Sequence, residues 1–433
     1  MEEAQKIQDK KTNTKLFPIY KMFSWDLLFY YSIIYLFLTQ AKNFSASEVL
    51  LAESFFTASC LFLQIPIGLL VDKFGKKNSL VFANICMCVF ITILLFINNY
   101  KMLLLANFID AIGYVIKGVC ETNILYDSLP SGEKRGTLYS SVDGIGASRY
   151  YVIDAITSII AGITFTIDPY IPVILCLIVN IIALILSTRF KHTQSQREEE
   201  NSKETARQYF KELREAIKFT FNSKRMLCLM LFFGLMSGLT YNLSTYRSNI
   251  LNSINIPAQY FGVIFAIIQI MAGICSKGQG WLHKRFKNNT LSVLGIPYVA
   301  SCFIIGCLVD SFGESVSNIV VILFILQGAI KGAYNVLIYR YLNNFTNRKI
   351  RVKLATIRNM FFNMISILIS LLGSFLLKVT TSGNTFLIVG GICTVCMVLL
   401  LDYMRGKVGL KPEKYNKEDL KYSSFNEGGN LKW

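Results

Sequence analysis

Three ionisable residues stand inside one long apolar stretch of this 433-residue chain: Asp110, Lys117 and Glu121. Their spacing puts them on one face of a helix, and Tyr114 joins that stripe. Lys117 and Glu121 are placed to pair across one turn. A carboxylate in a partly dry cavity can carry a proton. Glu121 is the first expected carrier, followed by Asp110 and Asp154. A second stripe of Asp143, Tyr150 and Asp154 occupies the next apolar stretch. Later stretches carry Gln327, Lys331 and Tyr334, and then Thr356, Asn359 and Asn363.

A charge at bilayer depth costs about 2.5–3.5 kcal/mol on insertion scales, so such residues tend to face a cavity and work there. Lys117, Tyr114, Tyr150, Gln327, Lys331, Tyr334, Asn359 and Asn363 are therefore expected to line a polar cavity that takes a small solute. Buried structural pairs between helices are the competing reading. Lys331 has no acid nearby in sequence, which hints at a solute with an anionic group. Asp26 and Arg247 lie nearer the ends of their stretches and are expected to reach the interface.

The elements that must position these residues are membrane spans. Hydrophobic residues make up 53% of the chain and charged residues 16%, against about a quarter charged in a soluble domain. The apolar residues are clumped, as in Leu80 to Asn98, Ile171 to Ser187 and Phe386 to Leu401. Runs of about 18 or more apolar residues are long enough to cross a bilayer. Spans are expected near 22–40, 48–71, 79–98, 102–128, 138–166, 170–189, 226–250, 257–277, 291–310, 316–342, 354–378 and 384–403.

The connections alternate between basic and nearly uncharged. Lys73, Lys76 and Lys77 fall in a basic one. The pattern implies an even number of spans with both termini in the cytoplasm, and it accounts for the net charge of +17 without nucleic acid. The longest connection ends in an amphipathic stretch in which Phe210, Leu213, Ile217 and Phe221 recur at helical spacing. A helix on the inner membrane surface is expected there.

Internal repeats support two related halves. Ile116-Lys117-Gly118 recurs as Ile330-Lys331-Gly332, Gly68…Lys73-Phe74 as Gly280…Arg285-Phe286, and Arg135-x-x-Leu138 as Arg351-x-x-Leu354, all at nearly one offset. Parallel six-span repeats are an architecture of secondary transporters. The expected organisation is a cytoplasmic tail over 1–21, a six-helix bundle over 22–189, a linker over 190–225, a second bundle over 226–404 and a tail over 405–433.

Gly68-Leu69-Leu70-Val71-Asp72-Lys73-Phe74-Gly75-Lys76-Lys77 lies between the second and third spans. It resembles the signature loop of the major facilitator superfamily. The resemblance in span layout covers the whole chain and implies an all-helical membrane fold of about twelve helices in two pseudo-symmetric bundles. It also implies a gating role for Asp72 between the two halves. In physical terms, Gly75 permits a tight turn, the lysines hold the loop on one side, and Asp72 can face a helix N-terminus. Tyr126-Asp127-Ser128-Leu129 is similar to the same region of bacterial drug exporters, and Asp127 is expected to pair with a base of the 73–77 loop. Two departures weaken the exporter likeness. Asn107 stands where exporters often carry Arg, and the fifth span lacks a Gly-Pro pair.

Other classes fit poorly. The chain has no G-x-x-x-x-G-K-[ST] nucleotide loop. Its two histidines, His192 and His283, both fall in connections, and no His, Cys and acid cluster has ligand spacing. The eleven cysteines sit in apolar runs rather than in a disulfide framework. No enzyme activity, cofactor or metal is therefore expected. The first 15 residues are polar and no cleavable signal peptide is apparent. The expected function is proton-coupled efflux of amphiphilic small molecules by alternating access. The alternative is uptake or exchange of a specific organic anion or other small metabolite. The expected setting is the inner membrane of a bacterium, with H+ and lipid as partners and the chain a monomer.

Overall fold

The computed structural model describes residues 2–130, 135–192, 206–286, 289–345 and 348–404. Among the described residues the fold is helical, without strands. The helices are α1 (Glu2–Ser24), α2 (Ile34–Leu36, continued by a π turn over Phe37–Ala41), α3 (Ala46–Phe74), α4 (Lys76–Phe96), α5 (Tyr100–Ser128), α6 (Arg135–Ile167) and α7 (Tyr170–Thr188). After the linker come α8 (Ala206–Asn222), α9 (Lys224–Ser253), α10 (Ala258–Phe286), α11 (Thr290–Phe312), α12 (Ser317–Phe345), α13 (Arg348–Val379) and α14 (Ser382–Met404). Ten segments of the described residues are long and apolar enough to cross a membrane, and one of them, Thr290–Asn335, takes in both α11 and most of α12.

Local chemistry starts and stops these helices where hydropathy alone would not. Ser45 caps α3 in a reciprocal box: Glu48 N–H donates to Ser45 Oγ at 3.2 Å, and Ser45 N–H donates to Glu48 Oε2 at 2.8 Å. Asn99 caps α5 through Met102 N–H at 2.9 Å, and Ser223 caps α9 through Met226 N–H at 3.2 Å. Gly75, at φ 83°, makes the turn from α3 to α4. That conformation favours a residue without a Cβ.

The first span departs from expectation in two ways. α1 reaches far into the stretch expected to be a free tail, and Asn13, Phe17, Tyr20 and Lys21 are all buried. The expected continuous span over 22–40 is also broken between Ser24 and Ile34. The cause is local. Asp26 Oδ1 accepts hydrogen bonds from Leu27 N–H at 3.0 Å and from the Tyr31 hydroxyl at 2.7 Å, while Phe29 takes φ 62°. A side chain that takes up nearby donors competes with the helical ladder.

The described residues divide into two compact units, 1–204 with 257–266, and 205–256 with 267–433. In the first, α1 packs on α5, α6 and α7, and α4 packs on α5 and α7. Its core joins Phe17, Tyr20, Ile67, Leu80, Ile124 and Phe190. In the second, α9 packs on α13 and α14, and α11 packs on α12 and α14. α8 buries Leu213, Ala216 and Phe219 against α9 and α13. The amphipathic stretch is thus a docked helix of the second unit.

The repeated glycines have unequal surroundings. A Cβ at Gly332 would meet the backbone of Ala272, with the carbonyl carbon at 2.6 Å, whereas one at Gly118 would meet nothing within 4 Å. Close backbone approach through small residues is how membrane helices pack. Gly332→Ala should therefore lower the melting temperature of the detergent-solubilised protein by several degrees, and Gly118→Ala should leave it unchanged. Equal effects at the two sites would count against this packing.

Candidate functional site

The ionisable groups of the first unit converge on α1. Lys21 forms an ion pair with Asp143 of α6, and the ammonium also lies 4.5 Å from the centre of the Trp25 ring. Trp25 meets Tyr150 and Tyr151 edge-on, with centroids 5.2 and 5.1 Å away. At the last residue of α1, the Ser24 hydroxyl donates to Glu121 Oε1 at 3.4 Å. The Tyr20 hydroxyl lies beside Glu121, and Lys117 and Lys21 are the cations nearest that carboxylate. Tyr20 is held in place by Asn84, whose Nδ2 donates to its hydroxyl at 3.0 Å.

A second group of charges lies at the break. The Asp26 and Lys117 charges both act on Asp110. Asp154 and Asp26 act on Tyr150. Asp143, Lys21, Glu121, Lys117, Asp110 and Asp26 thus form a cluster of charged groups on α1, α5, α6 and the break. Lys117 and Asp154 are buried; Asp110 and Glu121 are half-buried. Tyr114 is about half exposed, at 50%, and its ring meets Phe56 at 5.7 Å.

The stripe of Asp110, Lys117 and Glu121 is legible from spacing. Lys21, Ser24, Tyr20 and Trp25 are neighbours of these acids that the sequence reading leaves out, and Asp26, expected there to reach the interface, instead accepts from Leu27 N–H and Tyr31 at the break. Leu16, Phe17, Tyr20 and Phe23 recur at helical spacing upstream of the break, and that signal extends the first helix backward.

At the signature loop, Lys76 Nζ lies 2.7 Å from Asp127 Oδ2, which is the pairing expected for Asp127. Gly68 lies in the last turns of α3 and Gly75 makes the turn into α4, and Lys73 is exposed with its ammonium 5.9 Å from the Phe74 ring centre. Lys77 is half-buried. The side chain of Asp72 lies outside the described residues. Asp127→Lys should lower transport several-fold, and Lys76→Asp in the same chain should restore most of it, measured as initial solute flux. Failure of rescue in a well-folded double variant would remove the pair from the mechanism.

Three of the second-unit candidates, Gln327, Tyr334 and Asn363, are buried. Gln327 is 1% exposed and donates from Nε2 to Ser301 Oγ at 2.8 Å. Tyr334 is 1% exposed, with its hydroxyl 2.8 Å from Ser237 Oγ and 3.1 Å from the Phe233 carbonyl. Both tie α12 to its neighbours, because their stripe faces the bundle interior. Asn363 is buried, while Asn359 accepts from Arg358 at 2.8 Å and is half-buried, as is Lys331. Arg247 does not reach an interface: it is buried, with its guanidinium 5.3 Å from the Phe324 ring centre and its charge acting on Tyr298 and Cys302.

Among the described residues, no group of three or more His, Cys, Asp or Glu side chains could hold a metal ion. Solved transporter structures share the fold. The nucleoside transporter NupG matches with a TM-score of 0.68 at 12% identity, over 94% of this chain and 99% of that one. A D-xylose-proton symporter matches at 0.67 and 13%, over 94% and 98%. A POT family transporter in complex with 5-aminolevulinic acid matches at 0.65 and 11%, over 93% and 96%. An uncharacterised MFS-type transporter of Bacillus subtilis strain 168, YxaM, is 24% identical over 242 residues, a match spanning 55% of this chain and 58% of that protein. The profile of the Major Facilitator Superfamily matches residues 16–323 and 293–424. With the helical fold and its apolar spans already in place, these matches make the chain a multi-pass membrane transporter that belongs to the Major Facilitator Superfamily.

Proposed function

We propose that this protein is a proton-coupled secondary transporter that exports amphiphilic small molecules by alternating access, from a bacterial inner membrane with both termini in the cytoplasm. The observation that carries the coupling is the setting of Glu121. It accepts a hydrogen bond from Ser24 at the end of α1 and lies beside the Tyr20 hydroxyl, with Lys117 and Lys21 as nearby cations. Protonation would remove the negative charge that both lysines feel and leave Lys21 committed to Asp143. Deprotonation would draw Lys21 back toward Glu121. A proton is thereby converted into a force on α1, the helix that ends at the break. Proton coupling is also at home in this fold, since one solved structure of similar fold is a D-xylose-proton symporter.

The amphiphilic solute is supported by aromatic rings beside the acids. Trp25, Tyr150 and Tyr151 form a cluster next to Asp154 and Asp26, which suits flat or cationic amphiphiles. The chain acts on its solute by moving it, with no covalent step and no cofactor. Energised inverted vesicles test this reading. Addition of an exported dye should release protons from the lumen in proportion to dye uptake. Dye flux that continues undiminished with an uncoupler would end the proton reading.

A second reading, a permease for an organic anion, is favoured by Arg247 at span depth beside Phe324, with Lys331 on α12. It requires accumulation of a labelled carboxylate that Arg247→Met or Lys331→Ala reduces.

A further inference from the structure

α1 and the end of α7 carry a basic rim whose placement is fixed by buried contacts. Asn13 is 1% exposed. Its Nδ2 donates to the Lys191 carbonyl at 3.0 Å, and its Oδ1 accepts from Lys191 N–H at 2.8 Å. Phe190, also buried, meets Tyr20 edge-on with centroids 5.3 Å apart. The segment after α7 is therefore clasped along α1 at two successive residues. What the clasp holds outward is charge: Lys11 and Lys15 on α1, and Arg189 and Lys191 after α7, are all exposed.

The basic positions on the two helices stand above exposed apolar surface. Ile19, 40% exposed, lies one turn beyond Lys15. On α7, Ile178, Ile182 and Ile185 are exposed at helical spacing, and Arg189 continues the same face. The chemical sequence from rim to wall is cation and then hydrocarbon. A phospholipid of net negative charge presents the complementary sequence of phosphate and then acyl chain. Four basic residues next to a span are enough to attract anionic headgroups, and a clasped backbone avoids the ordering cost that a floppy tail would pay.

We propose that this rim is a docking site for an anionic phospholipid, whose headgroup sits on Lys11, Lys15, Arg189 and Lys191 and whose chains lie on Ile19 of α1 and the isoleucine face of α7. Lipid bound there would brace the cytoplasmic end of α1, the helix whose membrane-embedded end carries Ser24 and the Lys21–Asp143 pair. The site is separate from the cluster of charged groups and does not depend on which solute is carried.

The test is lipid retention by the full-length protein extracted from vesicles of phosphatidylcholine and phosphatidylglycerol at three to one, read by native mass spectrometry. The wild type should keep phosphatidylglycerol over phosphatidylcholine by about tenfold relative to the vesicle ratio. Replacement of Lys11, Lys15, Arg189 and Lys191 by Gln should bring that preference down to about twofold or less. Neutralising four exposed bases elsewhere (Lys211, Arg214, Lys218 and Lys284) should leave it near the wild-type value. If the fourfold variant does not fold, Lys15→Gln with Arg189→Gln should still reduce the preference at least threefold. No preference in the wild type would overturn the proposal. So would equal loss in both fourfold variants, which would show diffuse surface charge rather than a site.

Discussion

Glu121→Gln should abolish proton-driven transport, with at least a tenfold fall in gradient-dependent flux, while solute exchange without a gradient persists. The amide keeps the size of the carboxyl group and can still accept from Ser24 Oγ, so α1 and α5 stay together. What it loses is the change of charge. Lys117 and Lys21 would then face a permanently neutral group, which corresponds to the protonated state. A carrier fixed in that state can still bring solute across and back, but it cannot release a proton on one side only. Equal loss of driven flux and exchange would mean that Glu121 serves folding or solute binding. Driven flux at the wild-type rate would move the proton to Asp110 or Asp154. Asp110→Asn is the comparison, because Asp26 and Lys117 both act on Asp110.

The spans are legible because a bilayer demands long apolar runs, and eleven of the twelve expected segments each fall on one long helix, although the helices run past the expected ends, as where Ala258–Phe286 and Arg348–Val379 extend beyond 257–277 and 354–378. The exception is the first. Leu27 to Leu38 is apolar apart from its tyrosines and a serine, so hydropathy gives no sign of a break there. The break is written instead in Asp26, which takes up the Leu27 N–H, and in Phe29 at positive φ. Lys21 reads as tail for a related reason. A charge next to an apolar run looks solvated until its partner is found, and Asp143 lies 122 residues away along the chain.

Spacing carries the site only part of the way. It places Asp110, Lys117 and Glu121 on one face, because helical periodicity fixes that. It does not say which neighbour a face meets. Gln327 and Tyr334 share a stripe in the manner of cavity residues, yet the Gln327 amide nitrogen is bonded to Ser301 and the Tyr334 hydroxyl to Ser237 and the Phe233 carbonyl. The Lys76–Asp127 pair is within reach because both residues flank connections on the same side of the chain's alternation.

The Lys21–Asp143 pair separates a structural role from a coupling role. Lys21 has 7% of its side chain exposed and Asp143 has 30%. Lys21→Met leaves the aspartate without its cation, and removal of one partner of a buried pair costs about 3–5 kcal/mol. The lower end applies here, since Asp143 keeps some access to solvent. A clear drop in melting temperature is expected, and Asp143→Asn alone should give a drop of similar sign. In the double variant neither residue bears an uncompensated charge, so most of the stability should return. Transport should not return. Lys21 also acts on Glu121, and a chain carrying Lys21→Met has no cation to move between the two carboxylates when Glu121 gains or loses its proton. Melting and driven flux measured on the same three variants decide the matter. Recovery of both in the double variant would make the pair a brace for α1 and α6. Recovery of stability alone makes Lys21 the element that links the proton at Glu121 to the movement of α1.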